Sequence, residues 1–186
     1  NSGLTRFELP KSVLSIAYEA FNKCSDLALV IFERPSALTT VGDSAFAGAG
    51  SSVSGGMTVV IQSDKQSLVT GSHNFPASAT VTDEYCAITP DGSGAVVIPN
   101  TWTRVKNSAF VNCAAIKSVT FETPVQMIDI EAYAFFKNDA THDLTIVIPF
   151  TVGAIGERAF AGCLSSVSFE TDSALESIGV GAFQAS

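Results

Sequence analysis

The chain has 186 residues, of which 46% are hydrophobic and 15% charged, and its net charge is −8. Its apolar content excludes a disordered polyampholyte. Its ten scattered basic residues exclude the Lys/Arg clusters that nucleic-acid phosphates require. No apolar stretch approaches the roughly 20 residues of a membrane span, no signal-peptide pattern is visible, and the acidic surface would repel anionic lipid heads.

The first predicted strand covers Arg6–Pro10 and is followed by Val13, Ile16 and Ala20-Phe21. A second, Leu29–Glu33, leads to Leu38, Val41 and Ala45-Phe46. The loop 48–56 is nearly all Ala, Gly and Ser, a flexible composition. Thr58–Gln62 alternates like a strand, but residues 68–75 fit the pattern badly, with Gly71 and Asn74 at apolar or Ala positions. Residues 81–89, the turn Asp91-Gly92-Ser93-Gly94 and Ala95–Ile98 read as a hairpin. Four more strands follow, at Ala95–Pro99, Ser118–Glu122, Thr145–Pro149 and Ser166–Glu170. Each again precedes an Ala-Phe pair, at Ala109-Phe110, Ala134-Phe135, Ala159-Phe160 and Ala182-Phe183.

Every Ala-Phe pair has Ile or Val four residues before its Ala and a large apolar residue seven before. The frame recurs at 23 to 25 residues with one wider gap, the period of a solenoid whose units bury their apolar faces on one another. Aligned strands give two inward columns. One is Phe7, Val30, Val59, Val96, Val119, Ile146 and Val167; the other is Leu9, Phe32, Ile61, Ile98, Phe121, Ile148 and Phe169. Two unit types alternate. One ends its strand in apolar-Pro (Leu9-Pro10, Ile98-Pro99, Ile148-Pro149), the other in Phe-Glu (Phe32-Glu33, Phe121-Glu122, Phe169-Glu170). The expected organisation is a block of about three units over 1–62, an irregular excursion or hairpin over 63–94, and a block of about four units over 95–186.

The string Ile148-Pro149, Val152, Ile155-Gly156, Ala159-Phe160, Cys163 resembles the BspA-type leucine-rich repeat, and the endings Ala20-Phe21-Asn22-Lys23-Cys24 and Ala109-Phe110-Val111-Asn112-Cys113 repeat it. The resemblance implies a β-rich leucine-rich-repeat solenoid, a right-handed superhelix. It would carry a parallel β-sheet on the concave face and short helical turns or coil on the convex face. It also implies a secreted or cell-surface interaction and adhesion protein.

Cys24, Cys113 and Cys163 each lie three residues after a frame Phe. Rungs stack about 4.8 Å apart, so Cys113 and Cys163, two rungs apart, exceed the ~7 Å reach of a disulfide. All three are expected to be buried small hydrophobes, with Cys86 a free thiol or a further core residue. No Cys spacing suggests a metal, and none is expected. His73 and His142 lie in loop sequence outside any catalytic pattern, and Gly48-Ala49-Gly50 lacks the remainder of a nucleotide motif. An enzyme would need Asp83, Glu84, Cys86 and His73 to converge in a pocket, so no catalytic residue and no cofactor are expected.

The outward columns read Glu8, Ile31, Val60, Val97, Thr120, Val147, Ser168 and Pro10, Glu33, Gln62, Pro99, Glu122, Pro149, Glu170. The candidate binding residues are Ile31, Glu33, Val60, Gln62, Val97, Thr120, Glu122 and Val147, with Ile31, Val60 and Val97 forming an exposed apolar strip. The expected role is a non-enzymatic module that binds a protein or glycan outside the cell. The alternative is a spacer that self-associates through open solenoid ends, since the last unit stops just after Phe183 as though cut from a longer protein.

Overall fold

The computed structural model describes residues 3–70, 75–138 and 143–184. His73, Asn74, Gly71 and His142 lie outside the described residues. In chain order the strands are β1 (Arg6–Leu9), β2 (Ser15–Ile16), β3 (Leu29–Phe32), β4 (Thr40–Val41), β5 (Thr58–Val60), β6 (Thr80–Thr82) and β7 (Ala95–Ile98). They continue with β8 (Arg104–Val105), β9 (Ser118–Phe121), β10 (Asp129–Ile130), β11 (Leu144–Ile148), β12 (Ala154–Ile155), β13 (Leu164–Phe169) and β14 (Ser177–Ile178). A 3-10 helix covers Ser63–Leu68. The chain divides into two compact units, Asn1–Asp83 and Glu84–Ser186.

Each unit is a parallel-strand β-solenoid. In the first, the main sheet has the order β1-β3-β5-β6 and β2 pairs with β4. In the second, the main sheet has the order β13-β11-β9-β7, and a further ladder of two-residue strands runs β14-β12-β10-β8. Register follows the aligned columns: Phe7 lies opposite Val30, Val30 opposite Val59, Val96 opposite Val119, and Ile148 opposite Phe169. The inward residues Val30, Val59, Val96, Val119 and Ile146 are buried, as are Leu9, Phe32, Ile61, Ile98 and Ile148. Phe169 stays 42% exposed because β13 pairs only with β11. The two-residue strands carry the frame Ile and Val residues, so the segment between each main strand and its Ala-Phe pair contributes a short parallel ladder of its own.

The Ala-Phe turns form another ladder. Phe110 N donates to Ala134 O (2.7 Å), Phe135 N to Ala159 O (2.7 Å) and Phe160 N to Ala182 O (2.8 Å). The residue before each Ala adopts a left-handed φ, as at Glu19 (56°), Ser44 (58°), Ser108 (59°), Tyr133 (58°), Arg158 (49°) and Gly181 (63°). Tertiary packing holds these side chains where isolated residues would not stay. The rings pile face to face, with Phe110–Phe135, Phe135–Phe160 and Phe160–Phe183 centroids 5.0, 5.2 and 5.6 Å apart. In the first unit Phe21 stacks on Phe46 at 4.7 Å, and Phe46 on Phe75 at 4.2 Å. Phe75, assigned from sequence to a poorly fitting stretch, therefore completes the stack.

The glycine of the Ile-Gly pair is required by how closely successive rungs approach. A Cβ on Gly156 would lie 2.4 Å from Ala132 N, and one on Gly179 would lie 2.5 Å from Glu157 N.

Two further expectations are corrected. The hairpin joining 81–89 to 95–98 does not form. Instead β6 pairs in parallel with β5, putting Val81 opposite Val59, and β7 pairs in parallel with β9. The Asp91 turn closes on itself, with its carboxylate accepting from Ser93 N (2.8 Å) and Ala95 N (2.9 Å). The small-residue loop 48–56 is tied to the preceding rung through Gly50 N to Cys24 O (3.0 Å) and Ser52 N to Ser25 O (2.9 Å). Its small residues serve close approach rather than flexibility: Ala49 is fully buried, and a Cβ on Gly50 would sit 2.8 Å from Met57 Cβ.

Candidate interaction surface

The alternation of unit types has a structural cause. After each apolar-Pro strand the chain turns tightly, with Val13 N donating to Pro10 O (3.0 Å), Trp102 N to Pro99 O (3.0 Å) and Val152 N to Pro149 O (3.1 Å). The residue after the proline needs an acceptor for its own N–H. The carboxylate of the next, Phe-Glu rung supplies it. Glu33 accepts from Lys11 N (3.2 Å), Glu122 from Asn100 N (3.2 Å) and Glu170 from Phe150 N (2.9 Å). Gln62 does the same for Ser36 N. Glu33, Gln62 and Glu122, named from sequence as binding residues, thus cap turns of the neighbouring rung.

Ile31 and Val60 are 3% and 1% exposed, so the expected exposed strip of Ile31, Val60 and Val97 does not exist. The reason is legible in hindsight. Leu29-Val30-Ile31-Phe32 and Val59-Val60-Ile61 are unbroken apolar runs, the pattern of strands buried on both faces rather than on one. Moreover β5 and β7 belong to different sheets.

The second unit differs. Val97 and Val147 are 50% and 48% exposed, and Thr120 and Ser168 are also exposed. Val97 lies opposite Thr120 and Val147 opposite Ser168, while Ile146 opposite Val119 sets Val147 beside Thr120. One face of this sheet therefore presents Val, Thr, Val and Ser in order, with Glu122 and Glu170, both exposed, along one margin. Of the eight residues named from sequence, the structure brings together Val97, Thr120, Glu122 and Val147. The other four, Ile31, Glu33, Val60 and Gln62, belong to the first unit.

The groups weighed for catalysis have structural partners. Asp83 accepts from the Ser63 hydroxyl, and its carbonyl accepts from Arg34 Nη2 (3.1 Å). Glu84 accepts from Ala114 N (3.1 Å). Cys86 forms a disulfide with Cys113, with a Cα–Cα distance of 5.3 Å. This corrects the reading of Cys113 as an unbridged thiol. The spacing argument holds for ladder positions, and Cys24 and Cys163 are indeed free, but the partner comes from off the ladder. Burial pushes the Cys163 thiol up to about 12, with Lys137 acting to lower it and Asp143 to raise it. Lys137 is itself buried and pairs with Asp143 at 2.7 Å. Among the described residues there is no group of three or more His, Cys, Asp or Glu side chains placed to hold a metal ion.

Stacked parallel rungs with a ring column and short turn-linked strands define the chain as a leucine-rich-repeat solenoid, a class of fold that typically serves as a non-enzymatic interaction scaffold. The sequence model of the BspA type leucine rich repeat region matches residues 1–67 and 92–186, in six copies. The chain belongs to that family, whose proteins are often secreted or displayed at the surface. Among the described residues no helix is long and apolar enough to cross a membrane. No curated protein and no solved structure matches the chain.

Proposed function

We propose that the second unit is a non-enzymatic binding module acting outside the cell, and that its partner, a protein or a glycan, docks on the Val97–Thr120–Val147–Ser168 face. The supporting observation is that face itself: two half-exposed valines on alternate strands, in register with two hydroxyl residues and open to solvent. Apolar groups presented in a regular row next to hydrogen-bonding hydroxyls suit a flat partner surface. The second unit holds eleven acidic and five basic residues, so a partner bearing basic groups is favoured over an anionic glycan. The Cys86–Cys113 disulfide agrees with an oxidising, extracellular setting.

The test is a Val97→Lys, Val147→Lys double variant of the full chain, compared with the parent in capture of partners from host-cell surface protein and on a glycan panel. Expected are an unchanged melting temperature, since surface changes stay within about 0.5 kcal/mol, and loss of the captured partner. Capture equal to that of the parent would remove this face from consideration.

A further inference from the structure

The Ala-Phe ladder of the second unit has a direction: the turn of one rung donates to the turn of the next. Phe110 N bonds to Ala134 O and Asn112 N to Phe136 O, both at 2.7 Å; Phe135 N and Lys137 N then bond to Ala159 O and Ala161 O at 2.7 and 3.0 Å. The first turn of such a ladder has carbonyls, those of Ala109 and Val111, that a preceding rung would have served. Two other donors fill them. Ala87 N reaches Ala109 O and Tyr85 N reaches Val111 O, each at 2.8 Å. The order is reversed, with the earlier donor on the later acceptor, so this segment runs opposite to the rungs it covers. Cys86 stands between the two donors and is bonded to Cys113. Glu84 accepts from Ala114 N at 3.1 Å. Cys86, Ala87 and Ile88 pack on the core that contains Phe110.

We infer that residues 84–88 form a redox-latched cap that closes the first turn of the second unit's ladder and is released when the Cys86–Cys113 bond is reduced. A dithiol reductant breaks the S–S bond by thiolate attack and a second exchange. Two electrons and two protons pass to the protein, which gains two thiols, and the reductant leaves as its own disulfide. What remains is a half-buried segment without regular structure, held by a few hydrogen bonds, the kind of element that opens locally before the fold does. Its release uncovers the Ala109 and Val111 carbonyls and the part of the core on which Cys86, Ala87 and Ile88 pack. The buried Cys163 thiol is protected from exchange, whereas the partly exposed Cys24 is the competitor to remove.

The experiment uses the full chain carrying Cys24→Ser and measures amide hydrogen exchange with and without dithiothreitol, alongside a Cys86→Ser variant. Expected is a loss of protection of about tenfold or more at the Tyr85 and Ala87 amides, in the reduced protein and in the variant alike. The Phe135 and Phe160 amides should hold theirs. Unchanged protection at Tyr85 and Ala87 would overturn the latch. Equal loss at Phe135 and Phe160 would also overturn it, because the bond would then hold the whole unit rather than a cap.

Discussion

The ring column of the second unit allows a nearest-neighbour test. Phe135 is 1% exposed and lies between two parallel rings, Phe110 at 5.0 Å and Phe160 at 5.2 Å. Phe135→Ala removes a fully buried side chain, a change that costs about 3–5 kcal/mol. Aromatic pairing contributes about 0.5–1.5 kcal/mol per pair beyond area, and here two pairs are lost. Among the described residues Phe183 ends the stack half-buried, with one ring partner, Phe160 at 5.6 Å, so Phe183→Ala should cost roughly half as much. Against a typical domain stability of about 5–15 kcal/mol, the first change takes much of the margin and the second does not. Urea unfolding followed by the fluorescence of Trp102 reads this unit alone, because the chain has one Trp. Leucine double-mutant cycles sharpen the test. Phe110 with Phe135 should couple by about 0.5–1 kcal/mol, and Phe110 with Phe160, separated by the intervening ring, by close to zero. Equal losses at Phe135 and Phe183, or equal coupling in the two pairs, would refute stacked rungs as the source of stability.

The other expectations concern turns and titration. Gly156→Ala places a methyl 2.4 Å from Ala132 N and should destabilise by about 1–3 kcal/mol. Gly92→Ala, where nothing lies within 4 Å, should leave the urea midpoint almost unmoved. Glu170→Ala leaves Phe150 N without its carboxylate acceptor and should cost about 0.5–1 kcal/mol. Glu170→Gln should restore most of that in calorimetry, as Gln62 already serves this role. Cys163 has a thiol raised from 9.0 to about 12 by burial. The folded state holds this proton more tightly, so the associated stability is complete below pH 9.0 and is lost as pH climbs towards 12. Unfolding midpoints measured across that window should fall, and Cys163→Ala should fall less steeply; parallel curves would assign the loss to other groups.

The turn caps show how far local sequence reaches. The alternation of apolar-Pro and Phe-Glu strands is plain in the chain, but its cause is a hydrogen bond between rungs 20 to 22 residues apart, from Phe150 N to Glu170 and from Asn100 N to Glu122. Phe75 stands fourteen residues after Ile61, the same interval that separates Phe32 from Phe46. The spacing marked it, while its poorly matching neighbours concealed it. The proposed binding face is half legible in the sequence. Val97, Thr120 and Val147 sit where alternation puts them, whereas Ile31 and Val60 occupy continuous apolar runs whose second face is buried as well.

Period, column identity and rung register follow from residue order alone, because a repeated apolar pattern has one way to bury itself against copies of itself. Which residues bridge, cap or stay wet depends on partners remote in the chain. Cys86 meets Cys113 because a reversed segment fills two ladder carbonyls, a juxtaposition that periodicity could not foretell. The division at Asp83 and Glu84 is likewise tertiary, since strands flanking one gap in the repeat join separate sheets. Apolar periodicity encodes what a residue must avoid, namely water; only the folded chain decides which neighbour it avoids water with.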